Sequence, residues 1–463
     1  MKKLLISAIF IATTFVGYSQ SLGYQDLGIL FSKDDKNGTA RFMGMSGAFG
    51  SIGGDISSMN INPAGIAVFS TSMFSGSFNS RDTEINTNYY GTSNKTKEDY
   101  FNLSNGGAVL IFDSAYDSNW SKFAIGVNYR VKKDFRNSFS ARGNSNIPTF
   151  REFPLDQNNP EIQYDFSTQQ SFNNVYKGDI TEFTFAFAAV YNDDLYIGAG
   201  LNFLDLNFRQ ETLLREDNND GNSNTLEADF YQQNQTVGSG FSANLGVIYK
   251  VTNQFRLGLA YQTPTWYSEI AEESNIIDND GFSGDTEISV SEDPSNIYAN
   301  TAGYNYPTLR FNYRLRTPGK LTASASYIFG KNGLISLDYT NKNYQNIKLT
   351  EEADFQNENQ FFENNLRNVS LLNIGTEWRI DRFSVRGGYS FEESPYADAI
   401  DAENINGISF GGGYNFGNVK LDLAFSTSDR KDFYNFYPQF GNIDRSELNI
   451  DNKVFTATVS INL

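Results

Sequence analysis

The 463-residue chain contains no histidine and no cysteine. Without imidazole there is no Ser-His-Asp or Cys-His catalysis, no His-ligated zinc and no haem held by a proximal His. Only Tyr or Met is left to ligate iron, so no cofactor and no enzymatic activity are implied. Without cysteine there is no disulfide, which a chain of this length does not need, and no lipid-modified Cys. Basic residues are in deficit, with 36 Lys and Arg against 54 Asp and Glu and a net charge of −18. That balance argues against nucleic acid as a partner. Beyond Val16 there is no apolar run long enough for a membrane helix.

The first twenty residues, "MKKLLISAIFIATTFVGYSQ", have a basic start, an apolar run from Leu4 to Val16 and a small-residue exit. They read as a secretory signal peptide cleaved after Ser19 or Gln20. Aromatics make up 15% of the chain, with 40 Phe and 27 Tyr, yet the mean hydropathy is −0.44. Alternation of aromatic and polar residues gives this profile, and a transmembrane β-barrel needs that alternation.

Period-two segments recur from residue 69 to the end. In "SKFAIGVNYRVKK", Phe123, Ile125, Val127, Tyr129 and Val131 share one face, and Ala124, Gly126, Asn128, Arg130 and Lys132 the other. Strands are predicted at 69–79, 99–112, 121–134, 180–191, 195–209, 237–250, 255–268, 309–329, 333–345, 367–379, 383–392, 406–416, 419–428 and 453–463. "RTPGK" (316–320) interrupts the eighth. Connections after even-numbered strands are short. Those after odd-numbered strands are long and rich in Asn, Asp, Glu and Ser. Segregation of loop length by strand parity is the pattern of outer-membrane barrels, with tight periplasmic turns and long outer loops. The fold class is therefore all-β: a 14-stranded antiparallel transmembrane β-barrel with both ends at the periplasmic face. Large apolar side chains are expected to face lipid, and Ser, Thr, Asn, Gly and scattered Arg or Lys the lumen. Tyr191, Tyr249, Tyr261, Trp266 and Trp378 lie near strand ends, where an amphipathic ring suits the membrane–water boundary.

Residues 21–68 do not alternate. A helix-compatible "YQDLGILFS" precedes "NGTARFMGMSGAFGSIGGDISSMNINPAG", which is rich in glycine and carries Phe42, Met43, Met45, Phe49, Ile52 and Met59. A barrel of fourteen strands is wide enough that its interior must be filled or left open. This glycine-tolerant segment, beginning in the periplasm, is the expected N-terminal luminal plug, or hatch. Its Met and Phe side chains offer a soft apolar surface. The domains are then 1–20 signal peptide, 21–68 hatch and 69–463 barrel, with Asn62 and Pro63 as the joint.

"GTARFMGMSGAFGSIGGDISSMNINPAGIAVF" (38–69) resembles the hatch and first strand of the FadL/TodX-type outer-membrane transporters. "RLGLAYQTPTWY" (256–267) and "TPGKLTASASYIF" (317–329) are similar to further segments of that family. The resemblance implies passive, diffusive uptake of long-chain fatty acids or of aromatic and other apolar compounds. It implies a luminal site gated by the hatch and lateral release through the wall. By resemblance the opening lies near a kink in the third strand. Only Gly126 marks one there; "SNGG" (104–107), in the second strand, is a plainer interruption. The ligand-binding or hatch residues are then Arg41, Phe42, Met43, Met45, Phe49, Ile52, Met59, Asn62 and Pro63. Luminal cations suited to a carboxylate are Arg130, Arg256 and Arg386, each of which can equally pair with an acidic residue across the lumen. The partners implied are hydrophobic small molecules such as fatty acids, together with outer-membrane lipid and lipopolysaccharide, and a monomer is expected. The alternatives left open are a structural or adhesive barrel that only presents loops and a non-selective porin.

Two outer loops follow calcium-loop spacing loosely. In "EDNNDGNSNTLE" the candidate ligands are Glu216, Asn218, Asp220 and Glu227. "IIDNDGFSGDTE" (276–287) lacks the first ligand. An acidic solvated loop with a tight Asp-Gly turn accounts for both.

Overall fold

Period-two alternation becomes fourteen strands, each paired antiparallel with the next. The computed structural model describes residues 21–114, 118–149, 151, 162–278, 308–350, 354–437 and 441–463. The expected signal peptide, 1–20, and most of 276–287 lie outside them. The strands are β1 (Met73–Tyr89), β2 (Thr92–Asp113), β3 (Trp120–Asp134, resumed at Asn137–Gly143), β4 (Phe166–Tyr191), β5 (Leu195–Asn219), β6 (Thr225–Lys250), β7 (Phe255–Gln262, resumed at Trp266–Asp278), β8 (Thr308–Arg316, resumed at Lys320–Phe329), β9 (Gly333–Asn343, resumed at Lys348–Thr350), β10 (Asn368–Ile380), β11 (Phe383–Glu392), β12 (Ile405–Asn415), β13 (Val419–Tyr434) and β14 (Ser446–Asn462). Antiparallel pairing of β1 with β14, from Met73 opposite Asn462 to Asn88 opposite Glu447, closes the barrel and leaves no sheet edge. The first strand starts at Met73, four positions after the expected 69, because Phe69 still caps the last turn of the hatch.

The long polar "loops" expected at 80–98 and 210–236 are largely strand. β4, β5 and β6 have 26, 25 and 26 residues, more than twice the ~10 that cross a bilayer. β1 and β2 are joined by Tyr90 and Gly91 alone, both at positive φ (42° and 78°), as a two-residue hairpin turn requires. The ladder simply continues above the membrane into water, where outward side chains become polar.

The apolar face changes sides at that boundary. Along β5, Ile197, Leu201 and Phe203 point outward and are 40–48% exposed, while Asn202 faces the lumen. Above Phe203 the outward residues are Asp205, Asn207 and Arg209, and Leu204, Leu206 and Phe208 are buried inside. β1 follows the same rule, with Phe74 and Phe78 outward and Ile85 and Tyr89 inward. The expectation of a polar lumen throughout therefore holds only for the membrane half. Above it the barrel has an apolar interior like that of a water-soluble protein, since lipid no longer covers the outer face. At the opposite rim Trp120 packs edge-on against Tyr191 at 5.1 Å, and Phe329 stacks on Trp378 at 5.4 Å.

The hatch contains α1 (Tyr24–Ser32), α2 (Ala40–Gly44) and two 3-10 turns, Ile56–Asn60 and Pro63–Val68. Its first residues are high in the barrel, not in the periplasm. The Leu22 N–H donates to Gln210 Oε1 at 2.9 Å, and Asn234 Nδ2 donates to Ser21 Oγ at 2.6 Å. α1 packs its buried face (Leu27, Ile29, Phe31) into the apolar upper interior, against Leu206, Phe208, Tyr313 and Phe362 of α3 (Gln356–Asn365). The chain then descends to the periplasmic rim and enters β1. Among the described residues no helix is long and apolar enough to cross a membrane.

Candidate functional site

The joint between hatch and wall is built on Asn62. Its side chain is fully buried; Oδ1 accepts from Ala64 N–H at 3.1 Å, capping the Pro63–Val68 turn, with Pro63 at the first position. Its Nδ2 donates to the carbonyls of Gly50 at 2.7 Å in the hatch and Val247 at 3.0 Å in β6. Two wall glycines make room for it. A Cβ at Gly246 would lie 1.9 Å from Asn62 Oδ1, and one at Gly198 would lie 2.3 Å from the Ala64 nitrogen. Asn62→Ala is expected to loosen the joint by about 1–2 kcal/mol for the lost cap and a further ~1–3 kcal/mol for the stranded buried carbonyls. Faster amide exchange over 54–68 than in the intact protein is the readout, and unchanged exchange would refute the hinge role.

The rest of the hatch motif packs and anchors. Phe42 stacks obliquely on Phe49 with ring centroids 5.5 Å apart, and Met45 and Ile52 are buried beside them. Met59 and Ile66 fill a cluster with Val109, Ala124 and Ile248 of the wall. Thr39 caps α2, and its hydroxyl donates to the Asp55 carboxylate. Burial pushes Asp55 up, with Arg41 and the Thr39 hydroxyl opposing. Asp338 of β9 accepts from the hatch N–H groups of Phe49 and Gly50 at 2.9 and 2.8 Å.

The candidate cations are largely engaged. Arg41 Nε lies 2.7 Å from Glu377 Oε2 and its Nη1 donates to the Gly54 carbonyl at 2.8 Å. Arg386 lies 2.7 Å from the same Glu377 oxygen and 2.6 Å from Asp422 Oδ1, and Arg379 holds the other Glu377 oxygen at 2.6 Å. Arg130 pairs with Glu182 at 2.8 Å. Arg256 donates to the Ile52 carbonyl at 3.3 Å and has no ion-pair partner among the described residues. The calcium spacing is not realised. Glu216 is buried inside the barrel with the Tyr437 hydroxyl 2.6 Å from it, whereas Glu227 faces outward across the hairpin and Asp220 turns onto Asn222 and Asn224. Pairing of Asp217 opposite Glu227 puts Glu216 and Glu227 on opposite faces, so one ion cannot touch both.

A cavity of about 310 Å³ occupies the upper lumen beside α1. Its wall is mixed, with Leu22, Leu30, Ile85, Phe139, Tyr176 and Leu448 on the apolar side and Arg81, Lys133, Asp134, Arg136, Arg430 and Asp432 on the charged side, and its floor is the charged connection Lys33–Lys36 with Met43 and Ser46 of the hatch. Of the nine hatch residues drawn from the sequence, only Met43 lines it; none of Arg41, Arg130, Arg256 and Arg386 does. Lys36 faces this space and donates to Asn373 Oδ1 at 3.1 Å. Its side chain is exposed to the cavity, and the surrounding barrel lowers the ammonium from its usual range, with Glu392 opposing. Burial alone would raise the Asp34 carboxyl, but Lys320, Lys342 and Lys132 hold it well below its usual range. The sequence reading passed over this connection. Its signal was "KDDK" (33–36), a run of charge inside a segment otherwise destined for the lumen.

The cavity reaches a break in the wall. Backbone pairing of β2 with β3 ends at Asn105 opposite Arg130. Above it β3 interrupts between Asp134 and Asn137, and its resumed part pairs with β4. β2 reaches that part only by side chains, as in Thr96 Oγ1 to the Ser138 carbonyl at 2.9 Å. Tyr100 and Asn102 line the cavity across this gap, with the Arg136 guanidinium 3.9 Å over the Tyr100 ring. At its foot β2 shifts register on β1 between Ser77 and Phe78, within the "SNGG" neighbourhood.

The sequence profile of the outer membrane protein transport proteins (OMPP1/FadL/TodX) matches residues 31–436. No curated protein gives a significant match. A Pseudomonas aeruginosa FadL homologue has a similar structure, with a TM-score of 0.59 at 15% identity over 93% of this chain and 99% of that one. The Pseudomonas putida toluene transporter TodX gives 0.53 at 15% identity, covering 93% and 100%. The Ralstonia pickettii toluene transporter TbuX gives 0.51 at 16%, covering 91% and 98%. At such identities the likeness is one of fold.

Proposed function

The chain belongs to the outer membrane protein transport family (OMPP1/FadL/TodX), and from that premise we propose that it is a passive channel for hydrophobic molecules, long-chain fatty acids or aromatic and other apolar compounds. The fold places it in the outer membrane, crossed by strands. The observation that carries the reading is the cavity above the hatch, which is apolar where it meets Leu22, Leu30, Ile85, Phe139 and Leu448 and lies in the half of the barrel that has an apolar core. An apolar solute gains from the apolar side of that space without an energy-coupling element. That solved proteins of the same fold are described as toluene transporters supports an apolar cargo.

In this reading a solute enters among the apolar residues of the upper barrel and rests against α1 and Met43. It leaves sideways where β2 and β3 part, between Tyr100 and Arg136, so that it enters the membrane without crossing the polar lower lumen. Movement of the 33–49 segment sets the timing. Asn62 and Pro63 serve as the hinge. The purified protein in planar bilayers is expected to show low ion conductance and to bind a fluorescent fatty acid saturably. High basal conductance with no binding of fatty acid or toluene would overturn the reading in favour of a porin.

A further inference from the structure

Asp338 is an ionisable side chain in the membrane half of the barrel, fully buried on the luminal face of β9. Its Oδ2 accepts from both hatch N–H groups, those of Phe49 and Gly50. Its Oδ1 has no hydrogen-bond partner, and no Lys or Arg is within electrostatic reach, among the described residues. An ionisable group at membrane depth is costly and points to a function that includes its neutralising partner.

The strand register shows what surrounds it. Ser324 of β8 is directly opposite Asp338, and Ser326 is directly opposite Ser336. In such a ladder opposite Cβ atoms are about 5 Å apart and next-but-one residues about 7 Å. The four side chains therefore form one square on the luminal wall. All four are at most 7% exposed, and the three hydroxyls, like Asp338 Oδ1, have no hydrogen-bond partner among the described residues. The hatch lies over the square. A Cβ at Gly50 would be 2.0 Å from Ser324 Oγ and 3.2 Å from Asp338 Oδ2. Ser51, fully buried and also with an unpartnered hydroxyl, packs over Gly258, the β7 residue opposite Ser324.

Polar atoms buried this deeply are normally paired, so these orphans together call for an occupant. Water satisfies the hydroxyls but leaves the carboxylate charge without compensation. A proton neutralises the carboxylate but leaves Ser326 and Ser336 unpaired. A cation does both, because carboxylate and hydroxyl oxygens suit a hard ion. One carboxylate balances one positive charge. No group of three or more acidic side chains placed to hold a metal exists among the described residues, so the ion is monovalent.

We propose that Asp338, Ser324, Ser326 and Ser336 form a sodium site in the barrel wall, closed over by Gly50 and Ser51 of the hatch. The ion keeps Asp338 charged, and the charged carboxylate keeps both hatch N–H groups. Without sodium, residues 48–52 are held less firmly. The inference does not rest on the transport reading and stands whichever molecule the channel carries.

The test measures amide-exchange protection of residues 48–52 in the full-length protein in detergent. Sodium chloride is compared with N-methylglucamine chloride at equal ionic strength, so that general screening is the same. Protection in the intact protein is expected to be about tenfold higher in sodium and to saturate as sodium rises. Asp338→Asn keeps the shape and an acceptor oxygen but not the charge, and its protection is expected to be equal in the two salts. Ser336→Ala retains the carboxylate, and the sodium concentration that gives half of the effect is expected to rise about tenfold with one ligand gone. Heat-dependent gel mobility reports folding, and Ser336→Ala carries the test if Asp338→Asn does not fold. Equal protection of the intact protein in both salts overturns the inference, as does a sodium effect that survives Asp338→Asn unchanged. Protection that follows pH alike in both salts makes a proton the occupant and overturns it too.

Discussion

A chain lacking residues 21–65 conducts ions at least about tenfold better than the intact protein in the same bilayer, because a barrel of this width stays open unless it is filled. The hatch is what fills the membrane half. Phe42, Met45, Phe49, Ile52, Ile56, Met59 and Ile66 are all at most 5% exposed there. The wall they leave behind is polar, with Asn105, Asn128, Thr184, Asn202, Ser242, Ser336 and Thr458 facing inward. Such a ring fills with water once the hatch is gone. Fatty-acid binding falls in the same variant, since α1 and the 33–36 floor of the cavity leave with it. Gly246→Leu tests the same idea with the hatch still attached. Its side chain takes the space of Asn62 Oδ1, and the joint must lift. Conductance at the intact level in both variants would show that the hatch does not seal the channel.

The second large effect is electrostatic and asymmetric. Glu377 is 1% exposed and meets three guanidinium groups, from Arg41 in the hatch and from Arg379 and Arg386 in the wall. Glu377→Gln leaves those cations with Asp422 as the remaining carboxylate of the network. Removing one partner of a buried pair typically costs about 3–5 kcal/mol, because the other charge stays buried without compensation. Arg41→Ala removes one cation of three, and Glu377 keeps the other two, so its cost is expected to be well below that of Glu377→Gln. Thermal unfolding of the two variants, with protease sensitivity of the 40–60 segment, ranks them. Equal destabilisation, or a larger effect from Arg41→Ala, would mean that Glu377 is not the centre of the hatch anchor.

How much of this was legible in the sequence follows from the range of each interaction. Fourteen strands were countable because a strand writes its two faces into alternate residues, and Phe183, Phe185 and Phe187 declare lipid wherever they occur. The Asn62–Pro63 joint was visible for the same reason: caps and breakers act within a few residues. Strand length was not, because outward polar residues above the membrane look like loop when read alone. Pairing across β1 and β2 makes them strand.

The apolar switch at Phe203–Leu204 was present as two adjacent apolar residues, but nothing local said that the second belonged to an apolar core inside the barrel. The cationic site shows the limit most clearly. Arg130 and Arg386 were picked for their face, and the structure gives each a carboxylate. Asp34 meets lysines nearly 100, 286 and 308 residues away, at 132, 320 and 342. Sequence alone determined that this chain is a plugged outer-membrane barrel, because alternation, turn chemistry and capping are decided between neighbours. Closure of the barrel decided which charges meet, which face is apolar above the membrane and where β2 parts from β3. Those follow from distances across the lumen, which the order of residues does not carry.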